Sequence, residues 1–262
     1  MYPIRPAEAS NGRTSEAELS EHLSLAEEAF RRGVSLDQTD PSAARDQYER
    51  ALLHYEALAQ EDGVRNGRLY YNIANTYFRL GDLGRAILNY KRAALYMPQD
   101  ENLEQNLEYA RSRRMDRIEL EESERIFKTL FFLHYDVPSR IRLTIFAITF
   151  AIIWIVASLM IFVRWPLLRT ILVIASISSG LFFLSIVVEA VQTSINPEGV
   201  ITAQEVIARK GDADTYQPSF TEPLHAGTEF TALEERPGWI HIELGNGSRG
   251  WIPQSAAELV IP

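Results

Sequence analysis

The 262-residue chain carries 35 acidic against 26 basic residues, a formal net charge of −9, and no cysteine. That balance excludes general nucleic-acid binding, which needs a basic surface to neutralise phosphates. The missing thiols exclude disulfides, thiolate metal sites and cysteine nucleophiles together.

Residues 1–18 are rich in Pro, Ser and Glu and read as a disordered lead-in. Met1–Glu21 holds no apolar leader, so the expectation is a cytoplasmic start or a true start upstream of this Met.

Residues 19–118 read as an all-α helical repeat domain. Its best unit is Gly67–Asp100, GRLYYNIANTYFRLGDLGRAILNYKRAALYMPQD. With Pro98 near the end of a unit of about 34 residues, Tyr70, Ile73, Ala74, Tyr77, Ala86, Tyr90 and Ala93 fill the signature positions of a tetratricopeptide repeat. The physics agrees. Large residues at 70, 73 and 77 make one helix face, and the alanines let antiparallel helices touch. Gly81-Asp82 is the turn, and Pro98 stops the second helix. Leu19–Gly33 and Ser42–Gln60 form a weaker upstream unit, with Asp37–Pro41 as an atypical insertion, and Glu101–Arg117 reads as a solvating cap helix. Such units do not bury their faces alone, so a partner or a second copy is expected to complete the stack. Repeat arrays bind peptides on the concave face of their first helices. Here that face is expected to present Arg68, Tyr71, Asn75, Phe78 and Arg79, with Asn for peptide backbone and Arg for an acidic tail.

Residues 119–139, with Ile126, Phe127, Leu130, Phe131 and Leu133, read as a juxtamembrane amphipathic helix. Two apolar spans follow, 141–163 and 170–188. No charge interrupts Leu143–Val163 or Thr170–Val188, and each is long enough to cross the roughly 30 Å hydrocarbon core. The connection Arg164–Arg169 carries Trp165 and a helix-interrupting Pro166. Ala147, Ala151, Ala175, Ser176, Ser179 and Gly180 are small enough for close helix packing, and Glu189 marks the membrane exit. Both domains are expected on one side. Arg164 and Arg169 favour a cytoplasmic turn, whereas Arg140 and Arg142 pull the other way.

Residues 197–262 change to period-two patterning with turn punctuation, the sign of a small all-β barrel. Strands are expected at Val200–Ala203, Glu205–Arg209, Glu229–Glu234, Trp239–Leu244 and Arg249–Pro253, with Asn246-Gly247 as a primed hairpin turn. The string Gly245–Gly250 matches GxGxxG but opens no helix, so it is no phosphate site. The positions Val206–Gly211, Leu224, Gly227-Thr228, Leu233–Glu235, Gly238–Ile242 and Gly247–Ile252 resemble the bacterial SH3 (SH3b) family. That resemblance implies a peptide-binding or cell-wall-binding module, with Tyr216, Trp239 and Trp251 as candidate ligand contacts. Trp239 is the one most expected in the core.

Catalytic signatures are absent. His22, His54, His134, His225 and His241 are scattered without paired spacing, and no P-loop or GxSxG occurs. No enzyme activity, cofactor or metal is expected. The order of parts, together with Leu69–Tyr90 and Asn106–Arg111, resembles the BatE-type proteins of bacterial aerotolerance (Bat) operons. The resemblance implies a two-pass protein of the bacterial inner membrane with periplasm-facing domains. It also implies work alongside von Willebrand-type Bat proteins and a MoxR-type ATPase in a stress-response complex. The expected role is a protein–protein interaction scaffold. An envelope sensor binding peptidoglycan is the second reading, and a subunit of a transport assembly the weakest.

Overall fold

A computed structural model describes residues 16–60, 66–118, 139–163, 165–195 and 197–261. They form two units, one made of residues 1–119 with 197–262, the other of residues 120–196. The lead-in up to residue 15, the amphipathic segment 119–138, Arg164 and the side chains of Arg140 and Glu189 lie outside the described residues.

The first unit begins with five helices: α1 (Glu16–Leu36), α2 (Pro41–Gln60), α3 (Gly67–Leu80), α4 (Leu83–Tyr96) and α5 (Glu101–Ser112). Each packs on the next in sequence. Their starts are capped by short acceptors. Asp40 takes the Ala43 N–H, Asn66 that of Arg68, Asp82 that of Arg85 and Asp100 that of Leu103. Pro41 therefore sits at the first helical position, where its missing N–H costs nothing, and the supposed insertion Asp37–Pro41 is simply a capped turn. Gly81, at φ +83°, closes α3 in the left-handed conformation. Ala26, Ala51, Ala74, Ala86 and Ala93 are wholly buried, which is why the helices approach so closely. Helix α5 ends five residues before its expected limit, at Ser112, because the chain turns away towards the strands.

Residues 197–261 fold into seven strands among the described residues: β1 (Glu198–Ile201), β2 (Glu205–Val206), β3 (Leu224–His225), β4 (Glu229–Arg236), β5 (Trp239–Leu244), β6 (Arg249–Pro253) and β7 (Ala257–Leu259). A five-stranded sheet has the order β6-β5-β4-β1-β7, and β2 pairs with β3. Bridges from Arg209 to Pro218 and Trp251 join the two. Strand β5 alternates strictly, with Ile240, Ile242 and Leu244 inward. Strands β3 and β7 are too short to carry a period in sequence, and they were not expected. The expected strand Glu205–Arg209 shrinks to two residues. The β5–β6 turn also differs from expectation. Leu244 accepts the Gly247 N–H and donates to the Ser248 carbonyl, with Gly247 left-handed, so the strands are joined by a three-residue loop, Gly245–Gly247, instead of a primed two-residue turn at Asn246-Gly247.

The second unit is an antiparallel hairpin of α6 (Ser139–Phe162) and α7 (Pro166–Ile195). Pro166 is the first residue of α7, so Arg169, expected in the connection, already lies in the helix. Val156, Leu168, Ala175 and Ser179 are buried in the hairpin, whereas Ala147, Ala151, Ser176 and Gly180 face outward. Close packing thus uses only the Ala175/Ser179 pair of the expected small residues. Phe146 meets Phe183, and Arg142, buried against α7, donates Nη1–H to Ser185 Oγ at 2.7 Å. The windows Ile141–Phe162 and Pro166–Val187 are long and apolar enough to cross a membrane, and few of their residues are buried.

Candidate functional site

The five residues expected to line a peptide groove lie on α3, and α5 occupies much of the face they make. Tyr71 is buried, its ring 5.9 Å from that of Tyr90, and its hydroxyl accepts the Asn106 amide N–H at 2.7 Å. Asn75 Oδ1 accepts from Tyr90 Oη at 2.6 Å and from Asn106 Nδ2 at 3.1 Å. Phe78 packs against Tyr109 with centroids 5.6 Å apart. Arg79 pairs with Asp37 at 2.8 Å, and Arg68 is half-buried beside the capping Asn66. The polar groups assigned to a ligand backbone are therefore engaged within the stack. The open rim is Tyr109, half exposed, with the Arg113 guanidinium 5.0 Å over its ring. Spacing in α5 carried a signal for this. Asn106, Tyr109 and Arg113 recur at three and four residues and share one face.

On the β-domain the two tryptophans exchange the roles expected of them. Trp251 is only 7% exposed, with the His241 ring stacked at 4.7 Å and the Arg236 guanidinium at 4.5 Å. Arg236 is itself held by Asp212 and Glu234, each at 2.8 Å. These neighbours already occupy its ring, so Trp251 serves as support rather than as an open platform. Trp239 is half-buried and lies opposite Arg236 and Pro253 in register. Tyr216 is about half exposed, its ring lying so close over Gly211 that a Cβ there would come within 2.7 Å. Arg209 donates to the Tyr216 carbonyl at 2.9 Å. Trp239 and Tyr216 remain accessible aromatics.

A third cluster, absent from the sequence reading, joins strands to helices. Glu229 receives Lys91 Nζ at 2.7 Å, Arg111 at 2.7 and 2.8 Å, and Arg114 at 2.9 Å. Lys91 also pairs with Glu198. Burial alone would raise the Glu229 pKa. The Arg111 hydrogen bonds and the charges of Lys91 and Arg111 outweigh it and hold the carboxyl at about 2. Just beyond α5, Asp116 pairs with His225 Nδ1 at 2.7 Å and accepts the His225 N–H and the Thr228 hydroxyl. Its pKa is lowered, the opposing effect of burial being overcome by those hydrogen bonds. Arg92 reaches Glu258 and the Leu259 carbonyl. Apolar contact accompanies the ions. Val200 of β1 is wholly buried in the helical core, and a Cβ on Gly84 of α4 would stand 2.6 Å from the Ile201 carbonyl oxygen. The helical stack thus packs on the chain's own β-domain.

Among the described residues no group of three or more His, Asp or Glu side chains converges as a metal site. No curated protein matches the chain. Residues 223–260, running through β3 to β7, match the variant SH3 domain family, and the C-terminal β-domain is a variant SH3 domain, an interaction module rather than a catalytic one.

Proposed function

We propose that the chain is a membrane-anchored, non-catalytic scaffold. The α6–α7 hairpin tethers it in a bilayer, and the unit built from helices and SH3 domain presents two surfaces to protein partners. The observation that carries this reading is the union of an interaction module with a stack of repeat-like helical hairpins, in a chain that also holds two helices apolar on every face. The α3–α4 hairpin supports a tetratricopeptide assignment through its buried Ala74, Ala86 and Ala93 and its Gly81 turn. On the resemblance to BatE-type proteins, the partners are von Willebrand-type Bat proteins and a MoxR-type ATPase in an aerotolerance complex, with both domains periplasmic.

A second reading makes the SH3 domain an envelope sensor for peptidoglycan. The exposed Tyr216 ring favours it, since an open aromatic face suits a sugar or a peptide.

The test uses the full chain, tagged and cross-linked in membranes before detergent extraction. Wild type and a Tyr109→Ala/Arg79→Glu double variant are compared for the proteins recovered. The scaffold reading predicts specific partners that the double variant loses. Identical recovery would overturn the groove, and a chain that pellets only with soluble aggregates would overturn the tether. A parallel Tyr216→Ala chain assayed for sacculus sedimentation decides the second reading, and a reporter enzyme fused after Pro262 reads the sidedness.

A further inference from the structure

The chain leaves α5 at its C-cap, Arg113, and residues 114–118 then follow the β-domain without helical structure. Every second residue of that segment is gripped. Arg114 pairs with Glu229, Asp116 with His225 and Thr228, and Ile118 packs on the core of the strands. A non-helical chain held at alternate residues turns the ones between outward. Met115 is accordingly 75% exposed, and Arg113 and Arg117 flank it in the open. Arg111 and Arg114 are engaged by Glu108 and Glu229. Among the described residues no carboxylate pairs with Arg113 or Arg117, and the Arg113 guanidinium rests on the neutral Tyr109 ring.

A flexible apolar side chain between two long cations suits a lipid headgroup layer. Met115 can enter the acyl boundary while both guanidinium groups meet phosphates. The rest of the molecule sets the orientation. The chain carries a net charge of −9, so an anionic surface repels most of it and attracts this basic strip. A bilayer is also at hand. Only a short stretch of chain separates Val187, at the end of an apolar window, from Glu198, where the β-domain that grips this segment begins. Such tethering gives an effective concentration on the order of millimolar, so two arginines and a methionine suffice without tight intrinsic affinity.

We propose that Arg113, Met115 and Arg117 form a docking strip for anionic phospholipid headgroups, which seats the first unit on a bilayer surface. The proposal rests on the membrane tether inferred above and on no protein partner. One short segment then has two faces. Its inward residues hold the β-domain, and its outward residues meet lipid.

The absence of cysteine makes Met115→Cys a unique labelling site in the full chain. The chain, labelled there with a fluorophore, is reconstituted into phosphatidylcholine vesicles with and without phosphatidylglycerol. Lipids carrying a headgroup quencher should quench the label strongly in the anionic vesicles and little in the neutral ones. Each arginine near an anionic surface is worth roughly fivefold in the docked-to-free ratio, so adding Arg113→Gln/Arg117→Gln should cut it on the order of twentyfold. An unchanged melting temperature shows that this variant is folded. Added salt should release the label of the unsubstituted strip as well, which needs no variant. A Leu53→Cys label, on the exposed side of α2, should stay unquenched. Carbonate extraction separates the two readings. A chain that resists extraction while the label at position 115 stays unquenched overturns the docking strip alone, whereas an extractable chain overturns the tether and the strip with it. Equal quenching at position 53, or quenching indifferent to phosphatidylglycerol, also overturns the strip. Shielding from aqueous iodide without lipid quenching does so too, and leaves a protein as the occupant.

Discussion

Helices α4 and α6 are both regular, yet they solve opposite problems. Helix α4 buries Ala86, Ile87, Tyr90 and Ala93 and turns Lys91 and Arg92 to partners on the strands. Helix α6 has no such division. Trp154, Ile155, Ile161 and Phe162 all face outward, and little beyond Arg142 and Val156 is buried. The comparison teaches that helix type alone says nothing of solvent. An apolar stripe with charged flanks is finished by protein on one side, whereas a helix apolar all round needs an apolar surround on every side. The glue differs accordingly. The first unit is held by half-buried ions around Glu229 together with Val200, and the second by small residues, aromatic pairing and an Arg–Ser hydrogen bond.

Substitutions on each side test that contrast. The largest effect is expected at Glu229→Ala, which leaves the half-buried Arg114 without its carboxylate and Lys91 and Arg111 with only Glu198 and Glu108, and should lower the stability of the first unit by about 3 kcal/mol in urea unfolding. The same group makes the unit acid-sensitive. Its folded pKa is depressed from 4.5 to about 2, so its contribution is complete above about pH 4.5 and is lost as pH falls towards 2. Unfolding midpoints measured from pH 6 to 2 should fall in that window for wild type and stay flatter for Glu229→Ala. Ile155→Asp, on the outward face of α6, should cost about 3 kcal/mol of membrane insertion and move chain into the carbonate-extractable fraction. An unchanged membrane fraction would erase the contrast between the helices. Gly84→Ala pushes a methyl against the Ile201 backbone and should cost about 1–3 kcal/mol, read as a lower thermal midpoint. Arg249→Ala removes an exposed pair with Glu243 and should change stability by less than about 0.5 kcal/mol. A larger loss there would mean that surface ions matter as much as the buried cluster.

Much of this was legible from sequence because it depended on local periods. The helical hairpins followed from spaced alanines and turn residues, the two apolar helices from uninterrupted hydropathy, and the SH3-type strands from alternation around Trp239 and Trp251. What escaped was long-range. Arg111 and Arg114 belong to a helix that reads as a solvating cap, and Lys91 carries no signal of its own, because nothing local marks Glu229, more than a hundred residues away, as their common anion. Asp116 looked like the tail of a cap helix until His225 and Thr228 claimed it. Trp251 and Trp239 exchanged burial because Arg236 and His241 cover one and not the other, which alternation alone does not reveal. The α3 face reads in sequence as a partner groove, and nothing local marks α5 as the element that meets Tyr71, Asn75 and Phe78 there.

The seating of Val200 among the helices has a consequence for biosynthesis. Residues 16–118 emerge from the ribosome well before the valine that packs into their core, and both apolar helices are made in the interval. The early half must therefore wait with its contact to Val200 unmade and with Lys91, Arg111 and Arg114 lacking Glu229. Chains cut short before residue 200 should be prime substrates for chaperones and proteases, however regular their helices are.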